Sequence, residues 1–166
     1  MTQQLIIEKI NKAKFYLSSN KIQEAKNELL DCIKLNKDET QIYYYLTKIY
    51  IKENKEKEAI ECLQEAINFN PKNIQYYLFL AEIYFNNLSE FVYKLIDLYE
   101  NVLLMNYVDD VILYRLSFLY HKTLNLNKSN EYLAKLYSYN RMQPQVNLLK
   151  QYTTIRTYSK QWFTLI

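Results

Sequence analysis

Apolar residues recur along this chain at the spacing of an α-helix. In the stretch from residue 41 to residue 50, QIYYYLTKIY, the residues Ile42, Leu46, Ile49 and Tyr50 fall on one side of a helix, because a helix has about 3.6 residues per turn. No segment alternates apolar and polar residues over a sustained run, as a half-buried strand does. The pattern therefore predicts an all-α protein.

Asparagine marks the predicted ends of the helices. The chain has no glycine, and asparagine is the next residue that tolerates the left-handed backbone conformation at a helix C-terminus. Asparagines recur at intervals of 15 to 19 residues, at Asn20, Asn36, Asn54, Asn70, Asn87, Asn106, Asn125 and Asn140. This spacing predicts eight helices of about 12 to 16 residues in four hairpins. A ninth, capping helix is expected after Pro144, over about residues 145–160.

The chain repeats itself with a period of 34 residues. This offset aligns Tyr16 with Tyr50 and Tyr50 with Tyr84, and it aligns the residues that follow Tyr16 and Tyr50 in the same way, Ala25 with Ala59 and Leu29 with Leu63. After Tyr84 the pattern slips by two residues, which places an insertion in the turn NNLSEF. The period predicts an architecture of stacked, similar units.

These residues resemble the tetratricopeptide repeat (TPR) family, whose unit follows the pattern W-x2-L-G-x2-Y, A-x3-F and P. The second repeat carries the pattern most fully, with Tyr43, Leu46, Thr47, Tyr50, Ala59, Leu63, Ala66 and Pro71. The first repeat matches through Ala13, Tyr16, Ala25, Leu29 and Cys32, and the third through Tyr77, Leu80, Ala81 and Tyr84. With the insertion, the third repeat has Leu95, Tyr99 and Val102 where the pattern expects Ala, Phe and Ala. The fourth repeat matches weakly, through Leu113, Leu116, Ser117, Tyr120, Leu133 and Leu136.

The resemblance implies a right-handed TPR solenoid of about four helix-turn-helix repeats with a C-terminal capping helix. As a single domain over residues 1–166, its repeats would span about 6–39, 40–73, 74–109 and 110–143. In the family, the first helix of each hairpin lines the concave side. The groove-facing residues here would be Ile10, Lys14, Leu17, Tyr44, Lys48, Ile51, Leu78, Glu82, Phe85, Tyr114, Phe118 and His121.

This mostly apolar trough implies a non-enzymatic adaptor or assembly chaperone that holds a peptide or helix of another protein. The alternative for the trough itself is that the terminal helix folds back and covers part of it. In size and composition the chain is also similar to short plastid-encoded TPR proteins implicated in photosystem assembly, and in length to the small TPR chaperones of bacterial secretion systems. The sequence leaves these alternatives open.

One partner class is not expected. TPR proteins that bind the acidic C-termini of the large heat-shock chaperones use Lys, Asn, Asn, Lys and Arg in three successive first helices. The corresponding residues here are Ile10, Lys14, Tyr45, Gln75 and Phe79 or, one repeat later, Tyr44, Lys48, Phe79, Val111 and Arg115. Neither set matches.

Charge adds a candidate of another class. The net charge is +3, but residues 1–110 carry 13 basic and 17 acidic residues, whereas residues 111–166 carry 8 basic residues and one acid. Basic and aromatic residues alternate near the C-terminus, at Arg141, Lys150, Tyr152, Arg156, Tyr158, Lys160 and Trp162. This arrangement is the alternative site for nucleic acid or an acidic partner, although a solvated capping helix is the simpler explanation.

Catalytic, cofactor and metal sites are not expected. Without glycine the chain cannot form a dinucleotide fingerprint, a P-loop or a nucleophile elbow. His121 is the only histidine, and the cysteines Cys32 and Cys62 lie in amphipathic helical segments as small buried thiols. No window approaches the length of apolar sequence that a membrane span needs. We therefore expect a soluble intracellular protein, in the cytoplasm or a plastid stroma.

Overall fold

The computed structural model describes residues 2–142, with side chains described from Gln3 to Tyr139. Within this part of the chain there are eight helices and no strand. The helices are α1 (Thr2–Ser18), α2 (Ile22–Leu35), α3 (Thr40–Lys52), α4 (Glu56–Phe69), α5 (Ile74–Asn86), α6 (Leu88–Leu104), α7 (Asp110–Lys122) and α8 (Leu126–Met142). The predicted capping helix lies outside the described residues. The all-α prediction is confirmed, and so is the number of helices in this part.

The chain divides into two compact units, residues 1–105 and residues 106–166. The first contains three helical hairpins, α1 with α2, α3 with α4, and α5 with α6. In this unit α2 also packs on α3, α4 packs on α5, and α1 touches α3. The described part of the second unit is the hairpin of α7 and α8.

Small residues lie where the two helices of a hairpin cross. Ala13 and Ala25 are completely buried in the first hairpin, as are Thr47 and Ala59 in the second. The Thr47 hydroxyl donates a hydrogen bond to the carbonyl of Tyr43 at 2.8 Å, so its polar group is satisfied inside the helix. In the α7–α8 hairpin, Ser117 and Ser129 are buried at the corresponding positions, and the Ser129 hydroxyl donates to the carbonyl of Ser117 at 2.9 Å.

Three hairpin turns end their first helix in the same way. Asn20, Asn54 and Leu124 have positive φ angles of 57°, 56° and 62°. In each turn the next residue donates its N–H to a carbonyl five residues earlier at 2.8 Å, for example Lys55 to Tyr50. This bond defines the Schellman motif, which satisfies carbonyls at the end of a helix.

The asparagine rule is therefore right in part. It is confirmed at Asn20 and Asn54, and also at Asn106, which follows α6 with a φ of 60°. Asn36, Asn70 and Asn87 also mark helix ends, because they are the residues that follow α2, α4 and α5, but their φ angles of −156°, −136° and −118° are not left-handed. Asn125 lies in the turn after α7, although Leu124 takes the left-handed position there, and the rule is wrong at Asn140, which lies within α8.

In the third hairpin, the two extra residues lengthen a helix. Only Asn87 separates α5 from α6. Ala59 is the fourth residue of α4, whereas Leu95, its counterpart, is the eighth residue of α6. The expected insertion thus lengthens α6 at its N-terminus instead of enlarging the turn. Leu95, Tyr99 and Val102 are buried, as the repeat pattern predicts for that register.

Candidate functional site: an aromatic-lysine face on the first unit

Six side chains form a continuous cluster on the first helices of the three hairpins in the first unit. We call this cluster the aromatic-lysine face and define it as Lys14 of α1, Tyr44, Tyr45 and Lys48 of α3, and Tyr76 and Phe79 of α5. Residues one turn apart share a side of a helix, which places Tyr44 and Lys48 together. The 34-residue period aligns Lys14 of α1 with Lys48 of α3, and Tyr45 of α3 with Phe79 of α5.

Tyr44 is the centre of the ring contacts. Its ring centroid lies 5.3 Å from that of Tyr45, 5.6 Å from that of Phe79 and 6.1 Å from that of Tyr76. The first two pairs meet edge to face, the geometry that the ring quadrupole favours. Tyr44, Tyr45 and Phe79 are half-buried, so part of each ring faces solvent. Tyr76 is buried, and its hydroxyl donates to the Thr40 hydroxyl at 2.9 Å.

Two exposed lysines lie over these rings. The Lys48 ammonium is 4.5 Å from the Tyr44 centroid and 5.7 Å from that of Tyr45, and the Lys14 ammonium is 5.3 Å from that of Tyr45. These distances are within the range of cation–π attraction. Among the described residues, neither lysine forms an ion pair. The face therefore offers positive charge and aromatic surface at one place.

The predicted groove residues of the first unit differ in burial and in location. The prediction that Ile10 faces the groove is wrong, because Ile10 is only 3% exposed and belongs to the core cluster of the first hairpin. Tyr45 and Leu17 pack against that cluster, and Leu17 is itself half-buried. Lys14, Tyr44 and Lys48 lie on the face as defined. Elsewhere on α3 and α5, the structure leaves four predicted residues exposed or half-buried: Ile51, Leu78, Glu82 and Phe85.

The remaining predicted groove residues belong to the second unit. Tyr114 and Phe118 are half-buried on α7, and His121 is exposed near its C-terminus. In the same unit Lys128 lies 4.7 Å from the ring centroid of Tyr120, and Lys135 pairs with Glu131 at 2.6 Å. These two basic residues of the C-terminal third are thus engaged within their own hairpin. The side chains from Arg141 onward, proposed for nucleic acid, lie outside the described part.

Sequence reasoning missed the importance of two members of the face. The sequence identified Phe79 only as a counterpart of the residues with which other TPR proteins bind heat-shock chaperones, and it did not single out Tyr76. The repeat period contained the signal, because it aligns Tyr45 with Phe79 and Ile42 with Tyr76. What it could not supply was the side-by-side approach of α3 and α5, which brings both rings to Tyr44.

The prediction of two buried thiols is confirmed for Cys32, whereas Cys62 is only half-buried. Cys32 is completely buried, and burial raises its pKa. Burial, followed by the nearby carboxylates of Glu61 and Glu65, raises the pKa of Cys62 from its ordinary 9.0 to about 11. A thiol with such a pKa is almost wholly protonated near neutral pH, so it is a poor nucleophile and metal ligand.

The described part of the chain also has open clefts, and one of about 450 Å³ at the turn between α7 and α8 is lined by Thr123, Leu124, Asn125, Leu126 and Asn127. A cleft of about 260 Å³ lies between α4, α5 and α6, with Gln64, Tyr84 and Asp97 in its walls. Ligand pockets usually enclose about 300–1,000 Å³. The residues that the structure describes contain no group of three or more His, Cys, Asp or Glu side chains suited to a metal. In the same part of the chain, no helix combines the length and apolar character needed to cross a membrane.

Comparison with protein families matches two parts of the first unit. Residues 9–39 match the model described as tetratricopeptide repeat, and residues 48–87 match a model described as TPR repeat. These stretches cover the first hairpin and the junction of the second with the third. No curated protein matches the sequence.

Solved structures share the fold. One crystal structure of MamA is 18% identical with a TM-score of 0.68, and the alignment covers 84% of this chain and 81% of that chain. A second MamA structure, from AMB-1, is 14% identical with a TM-score of 0.66, covering 92% of this chain and 77% of that one. Pseudomonas aeruginosa PilF is 15% identical with a TM-score of 0.61, covering 84% and 61%. At these identities the likeness is one of fold alone.

Proposed function

Because the chain belongs to the tetratricopeptide repeat proteins, we propose that it is a non-enzymatic adaptor or assembly chaperone that holds a segment of another protein on the aromatic-lysine face. Repeat proteins of this kind bind partners along the surface formed by successive units. The family and the fold support protein–protein interaction in general. The choice of this face is our own proposal.

One observation carries the proposal: three half-exposed rings meet on a surface built from three helices. Tyr44 touches Tyr45, Tyr76 and Phe79, so it is held in place before any partner arrives. Preordered aromatic side chains lose little conformational entropy on binding, and they are enriched among the residues that dominate interface energies. A partner's apolar side chain would bury the remaining ring surface.

The neighbouring residues extend the face along the same helices. Ile51 is 40% exposed at the end of α3, and Leu78 and Phe85 are half-buried on α5. A helical or extended segment with apolar side chains at regular spacing fits such a row. The mixture of rings and lysines favours a segment that is amphipathic instead of wholly apolar.

The proposal is tested by affinity purification of the full chain from its native source, followed by mass spectrometry of the proteins that copurify. Tyr44→Ala and Phe79→Ala are prepared separately, with Tyr93→Ala as the matched control, because Tyr93 is a 70% exposed tyrosine on α6. We expect both variants of the face to weaken capture of the same partner by roughly tenfold or more. The control is expected to retain it.

Thermal unfolding of each variant separates loss of binding from loss of structure. The proposal is contradicted if Tyr44→Ala and Phe79→Ala remain folded and still capture every partner that the unchanged protein captures. It is also contradicted if Tyr93→Ala weakens capture as much as they do.

A further inference from the structure

We infer that the segment held on the aromatic-lysine face carries a carboxylate that binds beside the Tyr45 ring, between the ammonium groups of Lys14 and Lys48. This inference rests on the proposed function and specifies the chemistry of the partner. The segment is acidic and apolar, and it belongs to another protein.

The first argument is the arrangement of the two lysines. Their ammonium groups lie 5.3 and 5.7 Å from the same ring centroid, that of Tyr45. Two like charges held at one ring repel each other, and an anion close to both would remove that repulsion. Within the described residues no carboxylate pairs with either lysine.

The second argument is that the chain completes the same arrangement elsewhere. Lys26 lies 4.4 Å from the ring centroid of Tyr50, and its ammonium is 2.8 Å from a carboxylate oxygen of Glu53. Lys12 lies 5.8 Å from the Tyr16 centroid and also pairs with a carboxylate, that of Glu28. A glutamate thus neutralises the lysine in these two cases, as Glu131 does for Lys135 over Tyr132. The pairing is not general, because Lys94 lies 6.0 Å from the Tyr84 centroid without an ion pair among the described residues. At Tyr45 the lysines and the ring are present, and the carboxylate would come from the partner.

The third argument concerns where the acidic part of the segment lies. The 34-residue period aligns Lys14, Lys48 and Glu82 on α1, α3 and α5. The charge of this row is therefore positive on α1 and α3. Charge complementarity places the acidic part of the segment over α1 and α3.

The fourth argument excludes the chain's own C-terminus as the matching occupant. Residues 143–166 contain Lys150, Arg156 and Lys160 and no acidic residue. Placing this basic segment against Lys14 and Lys48 would bring like charges together. The charge of the face selects against it and in favour of an acidic segment from another protein.

The test is a selection of random peptides displayed on phage against the immobilised full chain. We expect the enriched peptides to contain Asp or Glu next to aromatic or aliphatic residues. The same selection is made with the double variant Lys14→Gln, Lys48→Gln. There we expect the enrichment of acidic residues to disappear and the enrichment of apolar residues to remain.

One enriched peptide is then synthesised and its affinity is measured. Binding to the double variant is expected to be roughly tenfold weaker, because each partly exposed ion pair contributes only modestly. The control is Lys57→Gln, Lys72→Gln, which removes two exposed lysines outside the face and should leave affinity unchanged. Binding to the unchanged protein should also weaken with added salt.

Three outcomes overturn the inference. The first is an enriched set that is apolar without acidic residues, and the second is equal affinity for the unchanged protein and the Lys14, Lys48 double variant. The third is displacement of the acidic peptide by a synthetic peptide of residues 143–166, which would make the chain's own C-terminus the occupant. The first two leave the proposed function in place, whereas the third would replace the segment of another protein by the chain's own C-terminus. In contrast, enrichment that is unaffected by Tyr44→Ala would contradict the proposed function itself.

Discussion

The ammonium group of Lys48 lies 4.5 Å from the ring centroid of Tyr44, one helical turn earlier on α3. The lysine stem covers part of the ring while its charge stays at the surface. Because Tyr44 in turn contacts rings on α5, this single pair connects a surface charge to an aromatic cluster shared by two hairpins. A change at Lys48 is therefore expected to affect binding much more than folding.

Lys48→Gln should lower the free energy of unfolding by no more than about 1 kcal/mol, because an exposed cation–π contact contributes about 0.5–1 kcal/mol. Urea denaturation measures the change, with Lys57→Gln on α4 as a control that removes an exposed lysine outside the face. A loss of several kcal/mol for Lys48→Gln alone would contradict its placement as a surface residue.

Leu124→Asn should raise the free energy of unfolding by about 1 kcal/mol. Leu124 has a φ of 62° and is 84% exposed, so a bulky residue is held in a left-handed conformation with no burial to offset it. Asparagine tolerates this conformation, as Asn20 and Asn54 do in the corresponding turns. Chemical denaturation measures the gain.

Leu124→Ala is the matched control for this prediction. It removes the same exposed apolar side chain but keeps a residue that disfavours positive φ. If alanine stabilises the protein as much as asparagine does, the backbone explanation is wrong and exposure of the leucine is the cause.

At one repeat position the second hairpin should require a small side chain and the third a large one. Ala59→Leu should lower the free energy of unfolding by about 1–3 kcal/mol, because Ala59 is completely buried where α3 and α4 cross. At the corresponding position of the third hairpin, Leu95→Ala should lower it by about 2–5 kcal/mol by leaving a cavity. Thermal and urea denaturation test both, and tolerance of leucine at residue 59 would refute the close crossing of α3 and α4.

Cys62 should react slowly with thiol reagents near neutral pH. With a pKa of about 11 in place of the ordinary 9.0, its thiolate fraction is roughly a hundredfold lower than that of an unperturbed cysteine. A Cys32→Ala variant leaves Cys62 as the only thiol, and the reaction is followed spectrophotometrically as a function of pH. The rate should keep rising to about pH 11, and a plateau near pH 9 would contradict the raised pKa.

The raised pKa also sets the direction of a stability effect. The folded state holds the Cys62 proton more tightly than the unfolded state does, so the neutral thiol favours folding below about pH 9. This contribution is lost as the pH rises from about 9 through 11. A Cys62→Ala variant should show a smaller fall in stability over that window.

Periodicity was sufficient to predict most of the fold. Ala13, Ala25, Ala59, Leu63 and other residues of the repeat pattern are buried as expected, because burial at those positions follows from helical spacing within one hairpin. The repeat bounds 6–39, 40–73, 74–109 and 110–143 stay predictions, as does a photosystem-assembly role in a plastid. The repeat pattern predicted the groove less well, since it assigns a position to each residue but not the neighbours that cover it.

Three structural features could not be predicted from the sequence pattern alone. Ile10 occupies the same repeat position as Tyr44, yet it is buried because Ile6, Leu46 and other core residues pack around it. The left-handed turn of the last hairpin falls on Leu124, because the hydrogen bond from Asn125 to Tyr120 fixes where the helix ends. The two inserted residues joined α6, because a helix continues wherever its backbone bonds can be made.

By itself, the sequence determined an all-α chain of 34-residue hairpins with small residues at their crossings, since these features depend on local backbone preference and on the spacing of apolar side chains. Only the tertiary structure decided which tyrosines meet. Tyr44 contacts the rings of Tyr76 and Phe79 because α3 and α5 approach each other there. Lys14 contacts the Tyr45 ring because α1 touches α3. The aromatic-lysine face exists only where three helices meet, and the approach of helices distant in sequence is set by packing.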